Sequence, residues 1–412
     1  MMDGTKEPVS AEGPGQGEGW LYYCPRCGRA FPTAGALKGI CPCGAVPLEP
    51  SELRDMRESL FPLISRYLPI EWIALEGASF YFPVPEGVKL PAELVQKLSD
   101  EGFIPFIRRR EGIRFCRLLK VGRRGKGQNV ILHLVLLVLT IITTTLTGYF
   151  MSYDLYAMKL IKNIWGGAAG FSLGLLFILG SHELAHWVTA RKNGIQASFP
   201  YFIPMIPVLS LGTLGAVINI RTPPPDREAM VKLGASGPLT GVLASVIVIA
   251  VGLSMSPLVD ITGIKPPYIS LGDPLLFHYL AYGFRAIPEG KDIMLHPLAL
   301  AGWFALLING FNLLPVGQLD GGHITRAFMP AKAHRILSFL VVAVLILLGL
   351  LYWKGWITLA VLALVFALAG NPGSIDDDRP PGRTGKILAL AALLVFLVSV
   401  NIEPLKMVMP PQ

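Results

Sequence analysis

The residues best suited to chemistry are His182 and His186, four positions apart, together with Glu183 beside the first histidine. On a helix, residues four apart lie on the same face, one turn from each other. Both imidazoles can therefore bind one zinc ion, and the glutamate then lies beside the water that the ion holds. This H-E-x-x-H spacing predicts a zinc site with an acid–base glutamate.

The motif lies inside an apolar stretch that begins near Phe171 and ends at Arg191 and Lys192. A charged side chain at the centre of a membrane helix costs about 2.5–3.5 kcal/mol, so ionisable residues there are functional by default. The alternative is that the motif occurs by chance and its polar residues only line a helix bundle. The insertion cost favours the functional interpretation.

The composition is that of a membrane protein. Hydrophobic residues make up 52% of the 412 residues and charged residues 16%, whereas soluble proteins have about 25% charged residues. Apolar stretches of about 20 residues are candidates for transmembrane helices. We predict a mainly α-helical, multi-pass bundle of seven spans, the last two of them short: residues 130–150, 171–192, 230–255, 298–314, 336–353, 356–370 and 387–400.

The distribution of positive charge predicts the orientation of this bundle. Basic clusters at 108–110 and 120–126 precede the first span, which places the N-terminal region in the cytoplasm. Counting spans then places Arg191 and Lys192 on the same side and the segment 256–296 outside. The net charge of +8 is explained by cytoplasmic anchoring in the cell membrane, so no nucleic-acid partner is expected. The first 20 residues lack the apolar segment of a signal peptide.

Four of the five cysteines, Cys24, Cys27, Cys41 and Cys43, lie within twenty residues near the N-terminus. Two such pairs separated by a short stretch predict a zinc ribbon with a structural zinc ion held by four thiolates. The second pair is C-x-C, a departure from the usual C-x-x-C. The alternative, a pair of disulfides, is disfavoured in the cytoplasm. Cys116 stands alone and is predicted to be a buried small residue.

The chain is predicted to contain two small soluble units before its membrane core. Between the ribbon and the first span, we expect helices at Ser51–Tyr67 and Pro91–Glu101, a strand at 80–82, and a hairpin of 102–107 with 113–118. This α+β unit has no evident catalytic cluster, so a docking or gating role is expected. The predicted organisation is a disordered segment 1–19, the zinc ribbon 20–48, the α+β domain 49–122, the membrane-embedded core 125–370, and a cytoplasmic linker with a final span 371–412.

A zinc hydrolase site needs a third protein ligand and leaves a fourth position for water. The best stretch for this ligand follows the fourth predicted span, from Asn312 through Pro315 to Asp320 and His323. Asp320 is the predicted ligand, although an Asp-Gly pair also suits a simple turn. His323 is the rival ligand. The remaining histidines, which lie at other predicted depths, are poorer candidates: His133, His278, His296 and His334.

The pair of motifs, H-E-x-x-H followed two spans later by N-x-x-P-x-x-x-x-D-G, resembles the site-2 protease family of intramembrane zinc metalloproteases. The resemblance implies that His182, His186 and Asp320 bind a catalytic zinc ion and that Glu183 activates water. It also suggests Asn312 as a substrate-positioning or oxyanion group. The stretches 200–204, 212–216 and 315–323 are most similar to the branch of archaea, cyanobacteria and chloroplasts, which lacks a PDZ domain.

Two further stretches acquire a predicted role in such a core. Residues 199–220 are too apolar for a solvated loop and too rich in Pro and Gly for a helix. Non-helical backbone at membrane depth must be buried in protein or line a wet cavity, so 215–220 is a candidate strand edge for an unwound substrate. The alternative is a loop lying on the headgroups. Small residues at helical spacing from Gly234 to Gly241 predict close helix packing.

The resemblance implies zinc-assisted hydrolysis of peptide bonds within or near transmembrane segments of another protein. The expected partners are a transmembrane protein substrate and membrane lipid, and the oligomeric state is open. Two rival functions remain. A zinc-binding membrane transporter would use the same histidines but has no need for Glu183 beside the metal. A proteolytically inactive membrane scaffold would present the soluble head, but the full set of catalytic residues argues against it.

Overall fold

The computed structural model describes residues 21–23, 30–32, 60–70, 74–76, 79–110, 112–121, 129–207, 210–261, 268–283 and 287–408. The chain forms two compact units, Met1–Arg124 and Gly125–Gln412. The predicted disordered segment 1–19 and the four predicted ribbon cysteines, Cys24, Cys27, Cys41 and Cys43, lie outside the described residues. The zinc ribbon therefore stays a prediction.

The described part of the first unit contains a six-stranded sheet in the order β2-β1-β3-β4-β6-β5. Its neighbouring strands are antiparallel except for β1 and β3, which are parallel. The predicted strand at 80–82 and the predicted hairpin are both present, as β4 and as β5 with β6. The strands are β1 (Leu21–Tyr23), β2 (Ala30–Pro32), β3 (Ala74–Glu76), β4 (Ser79–Pro83), β5 (Phe103–Arg110) and β6 (Ile113–Lys120).

Two helices share a hydrophobic core with this sheet. Residues 60–65 form α1, the described part of the helix predicted from Ser51, and α2 spans Ala92–Asp100. Leu94 and Leu98 are four residues apart on one face of α2 and are fully buried in this core. Cys116 is also fully buried there, and burial raises the pKa of its thiol. A protonated, inaccessible thiol is a poor nucleophile, which agrees with the predicted structural role.

The second unit is mainly helical. Among the described residues, four helices have the length and apolar composition needed to cross a membrane: α3, α4, α5 and α9. Two shorter apolar helices, α7 and α10, accompany them. The helices are α3 (Val130–Ala157), α4 (Ile164–Lys192), α5 (Arg227–Ser254), α6 (Leu275–Gly283), α7 (Pro297–Asn312), α8 (Asp320–Phe328), α9 (Ala331–Leu351), α10 (Gly355–Ala369) and α11 (Arg383–Ser399).

Each of the predicted spans coincides with one of these helices, although the boundaries differ. Helix α4 begins at Ile164, seven residues before the predicted start at Phe171, because Asn163 caps it by accepting a hydrogen bond from the Trp165 N–H. Helix α3 continues to Ala157, beyond the predicted end at residue 150. Hydrophobicity alone locates the apolar centre of a helix, whereas polar caps and turns determine where it begins and ends.

In the described part of this unit, six short strands lie outside the helices and form three pairs. Of these, the sequence predicted only a strand edge at 215–220, which overlaps the second strand. β7 (Tyr201–Pro204) and β8 (Thr213–Val217) form an antiparallel hairpin within the apolar stretch 199–220. The others are β9 (Leu258–Asp260) with β11 (Lys291–Ile293) and β10 (Tyr268–Leu271) with β12 (Leu405–Val408). The hairpin β7–β8 packs on α3, where the Thr143 hydroxyl donates a 2.6 Å hydrogen bond to the Gly212 carbonyl.

Helices α4, α5 and α7 pack against one another and form the centre of the second unit. Small residues bring their backbones close together. A Cβ at Gly252 of α5 would lie 2.5 Å from the Ala299 Cα of α7, and one at Gly174 of α4 would lie 2.7 Å from the Leu298 side chain. Close approach through glycine is typical of helices in membranes. It brings the polar residues of three helices within reach of each other.

Candidate metal centre

Helix α4 carries the H-E-x-x-H motif in its second half, where it is enclosed by α5, α7 and α8. His182, Glu183 and His186 are 4%, 8% and 6% exposed. Their polar atoms must therefore find partners inside the protein, because a buried polar group without one costs free energy.

Asp320 reaches the motif through a tight turn. Helix α7 ends at Asn312, and α8 begins at Asp320. Between them Gly317 has a positive φ of 46°, and a Cβ there would collide with the Phe366 carbonyl of α10. Glycine is the residue that tolerates both conditions. The turn places the Asp320 carboxylate at the N-terminus of α8, where the helix dipole favours a negative charge.

The three predicted ligands converge on one point. The Nε2 atoms of His182 and His186 are 3.0 Å apart. The Asp320 carboxylate oxygens lie 3.2 Å from the His182 Nε2 and 3.1 Å from the His186 Nε2. Within the part of the chain that the structure describes, these three residues are the group suited to hold a metal ion.

These distances fit a zinc ion. Zinc–nitrogen and zinc–oxygen bonds of about 2.0–2.1 Å in a tetrahedron separate the ligand atoms by about 3.3 Å, within a few tenths of an ångström of the observed values. Each Nδ1 atom faces a hydrogen-bond acceptor: the Asn309 Oδ1 lies 2.9 Å from that of His182 and the Leu233 carbonyl 2.8 Å from that of His186. With a proton on each Nδ1, both Nε2 lone pairs and the carboxylate face one another, an arrangement that a bound metal ion would satisfy.

One face of α5 lies directly against the two imidazoles. A Cβ at Gly237 would collide with the Nε2 atoms of both His182 and His186. A Cβ at Gly241, one turn later, would lie 3.0 Å from the His182 Nδ1. The predicted close helix packing is thus present, and its function is specific: the missing side chains leave the volume in which the ligand atoms meet.

Glu183 faces the β7–β8 hairpin. Its carboxylate lies beside the backbone amide of Ile218, directly after β8. The Ser198 N–H bonds to the Asn219 carbonyl on the opposite edge of the same segment. Because successive residues of a strand direct their amides to opposite edges, the edge next to Glu183 is the one turned away from β7.

Ion pairs fasten α8 to its surroundings. The buried Arg326 guanidinium pairs with Asp377, and Asp377 lies 3.2 Å from the Arg227 Nε at the start of α5. A carboxylate shared by two arginines holds α5 and α8 at a fixed separation. Asp320 is the first residue of α8 and α5 packs against that helix. Asp377, in the segment after α10, therefore helps to position the third ligand.

The rival ligand His323 lies one turn further along α8 and contacts Asn371, whose Nδ2 is 3.3 Å from the His323 Nδ1. The four poorer candidates lie elsewhere. His133 stacks on Tyr201, His278 is 3.6 Å from Asp273, and His296 caps α7. His334 is buried in α9. The structure therefore brings together the predicted ligand set and leaves out the alternatives.

Sequence reasoning missed Asn309. The predicted polar residue of α7 is Asn312, which is half-buried one turn later, but the side chain that contacts a motif histidine belongs to Asn309. Its signal in the sequence was an amide in the middle of an apolar helix, where a polar group is expensive unless it has a partner. The role of Asn312 stays a prediction.

With this geometry established, comparison with known proteins identifies the domain. Residues 170–353 match the model of peptidase family M50. The chain contains a peptidase family M50 domain. The resemblance to the site-2 protease family, indicated by the paired motifs, is thereby confirmed.

The proteins similar to this chain include chloroplast proteins, which agrees with the predicted branch of archaea, cyanobacteria and chloroplasts. Probable zinc metalloprotease EGY2, chloroplastic, from Oryza sativa subsp. indica is 33% identical over 231 residues, which cover 53% of this chain and 39% of that protein. Probable zinc metalloprotease EGY1, chloroplastic, from Arabidopsis thaliana is 30% identical over 249 residues, 59% of this chain and 44% of that protein. The chain thus matches about two fifths of the length of these relatives.

One solved structure is also similar. The site-2 protease from Methanocaldococcus jannaschii matches 63% of this chain and 86% of its own, with 19% sequence identity and a TM-score of 0.26.

Proposed function

We propose that the M50 domain is an intramembrane zinc metalloprotease, which hydrolyses peptide bonds within or near transmembrane segments of membrane proteins. The observation that carries the proposal is the convergence of His182, His186 and Asp320, with Nε2 and carboxylate oxygen atoms 3.0–3.2 Å apart, beside the buried Glu183. In the described part of the chain, four helices with the length and composition to span a membrane accompany this cluster.

A zinc ion held by His182, His186 and Asp320 would supply a Lewis acid, which polarises the scissile carbonyl and acidifies the attacking water. Glu183 has the position and chemistry of a general base: it takes a proton from water and passes it to the leaving amine. The Ile218 backbone amide lies beside its carboxylate. Asn312 is proposed as a group that positions the substrate or stabilises the oxyanion.

The substrate is proposed to bind as an added strand. A helical substrate hides its carbonyls in hydrogen bonds, so it must unwind locally before attack. The edge of β8 turned away from β7 offers backbone groups at Ala216 and Ile218, next to Glu183. Pairing with this edge would hold an unwound segment beside the general base.

Two observations weigh against the rival functions. A transport site must release its ion. Here the Nδ1 atoms of the two imidazoles contact Asn309 and the Leu233 carbonyl, which fix the orientation of the rings. A scaffold has no use for a buried glutamate, yet Glu183 is 8% exposed beside the cluster. Catalysis accounts for both features.

The proposed setting of the enzyme follows the sequence prediction. We propose that α3, α4, α5, α7, α9, α10 and α11 span the cell membrane and that the N-terminal unit is cytoplasmic. A transmembrane protein is the proposed substrate, and lipid surrounds the helices. Their outward faces carry exposed apolar side chains such as Leu173, Leu243 and Leu350, which suit contact with acyl chains.

The proposal predicts that cleavage depends on a removable metal ion. Purified protein in detergent, incubated with candidate single-span substrates, should produce fragments cut within the apolar segment. A strong chelator should stop the reaction, and added Zn²⁺ should restore it. Fragments on a gel, with cut positions from mass spectrometry, provide the measurement. Cleavage that persists after complete metal removal would contradict a metalloprotease.

A second zinc ion is proposed for the N-terminal ribbon, held by Cys24, Cys27, Cys41 and Cys43. Deleting residues 1–48 should then remove one zinc ion per chain and leave the ion of the M50 domain. Metal analysis by atomic emission checks this. Replacing Cys116 by alanine is the matched control, because this cysteine is fully buried in the hydrophobic core of the sheet and its loss should leave the zinc content unchanged. An unaltered zinc content after the deletion would rule out the ribbon.

A further inference from the structure

The amide of Asn309 is the most deeply buried polar side chain that contacts the cluster from outside it. Asn309 is 2% exposed in the middle of α7, whose neighbouring residues are apolar. Its Oδ1 lies 2.9 Å from the His182 Nδ1. A buried carboxamide normally forms hydrogen bonds through its N–H groups and its oxygen. The contact with His182 therefore satisfies the Asn309 oxygen inside the helix bundle.

A second hydrogen bond fixes which way the amide points. The Asn309 Nδ2 donates to the Ala305 carbonyl one turn earlier, over 2.9 Å. The nitrogen is therefore occupied within α7, and the oxygen is left for the imidazole. Because Oδ1 can only accept, the His182 Nδ1 must carry the proton. The lone pair of that ring is then on Nε2, which faces His186 and Asp320.

Packing prevents the ring from turning away. A Cβ at Gly241 of α5 would lie 2.5 Å from the Asn309 Oδ1 and 3.0 Å from the His182 Nδ1. The α5 backbone thus closes over the contact. His186 is positioned differently: its Nδ1 lies 2.8 Å from the main-chain carbonyl of Leu233. That carbonyl is present whatever side chain residue 233 carries, whereas the support of His182 depends on the identity of residue 309.

We propose that Asn309 is a positioning residue of the metal centre. It selects the Nδ1–H tautomer of His182 and holds the Nε2 lone pair toward the ion. The proposal rests on the proposed zinc centre and concerns a different residue from Asn312. An acceptor behind a ligating histidine raises the basicity and fixes the orientation of the ring, and its loss typically costs about 10–100-fold in metal affinity.

The test measures metal binding by the full-length purified protein. Zn²⁺ is titrated in competition with a chromophoric chelator, and the visible absorption of bound Co²⁺ reports the ligand geometry. Asn309→Leu keeps the branched shape and the number of side-chain heavy atoms but removes the acceptor, so zinc affinity should fall by about 10–100-fold and the Co²⁺ spectrum should change. Asn309→Asp retains an acceptor at the same position and should restore both. Thr140→Val is the control, because it removes a buried hydroxyl that donates to the Leu136 carbonyl within α3.

Two comparisons make the outcome decisive. The His182→Ala variant gives the binding that remains at other sites. If Asn309→Leu binds Zn²⁺ as tightly as the unmodified protein while His182→Ala has lost this site, the positioning role is wrong and the zinc centre stands. If His182→Ala also binds unchanged, the zinc centre is wrong and the role of Asn309 falls with it. Should Asn309→Leu fail to fold, Asn309→Ala removes the same acceptor without added branching and is expected to show the same loss.

Discussion

Replacing Glu183 by glutamine is expected to stop cleavage and leave the metal in place. The carboxylate is the proposed proton carrier, and glutamine has nearly the same shape without a base. Loss of general acid–base catalysis lowers a rate by about 10²–10⁴-fold. The three ligand atoms belong to other residues, so zinc content should be unaffected. The measurement is fragment formation from a single-span substrate, beside metal analysis of the same preparation.

The control for this change is another glutamate of the same domain. Glu228 accepts hydrogen bonds from the Gly382 and Gly385 N–H groups, and Glu228→Gln retains an acceptor there. Its activity should stay near that of the unmodified protein. Cleavage by Glu183→Gln at the unmodified rate, with contaminating proteases excluded, would refute the proposed chemistry.

The Asp320→Ala variant is expected to lose zinc and activity together. Its carboxylate lies 3.1–3.2 Å from both imidazoles, and removing it leaves two neutral ligands for a doubly charged ion. Two imidazoles alone bind zinc far more weakly than a complete three-residue site. The metal content should fall by one ion per chain, and peptide cleavage should be undetectable.

His323→Ala is the matched variant on the same helix, one turn further on. His323 contacts Asn371 and lies outside the cluster, so its zinc ion should remain bound. Asp320→Asn provides a second test that preserves side-chain size, and it should also lower zinc occupancy. The assignment would be reversed if His323→Ala lost the ion and Asp320→Ala kept it, because the site would then contain three histidines.

Local patterns in the sequence were sufficient for some features and not for others. The i, i+4 spacing of His182 and His186 predicts their common face, since it depends only on helix geometry. The β5–β6 hairpin is likewise local, with the turn at Gly112 having φ +83°. Features of this kind require no knowledge of which elements become neighbours.

Other features depend on neighbours distant in the chain. Asn309 and His182 are separated by 127 positions, and no local pattern shows that α7 packs behind α4. The strands β10 and β12 pair across an even longer separation. Strands of three or four residues have too little periodicity to be recognised, and their pairing is fixed by the packing of the helices that they connect.

The glycine face of α5 has a consequence for how this sequence can change over time. Glycine inside a helix lowers its stability by about 1 kcal/mol relative to alanine, so alanine at position 237 or 241 would strengthen α5 as a helix. At both positions the added methyl group would enter the volume beside His182. The most accessible stabilising mutations of this helix are therefore ones that the active form cannot accept. The same added carbon atom would raise the helix propensity of α5 and disturb the metal site. We therefore expect stabilising mutations of this protein to lie outside positions 237 and 241.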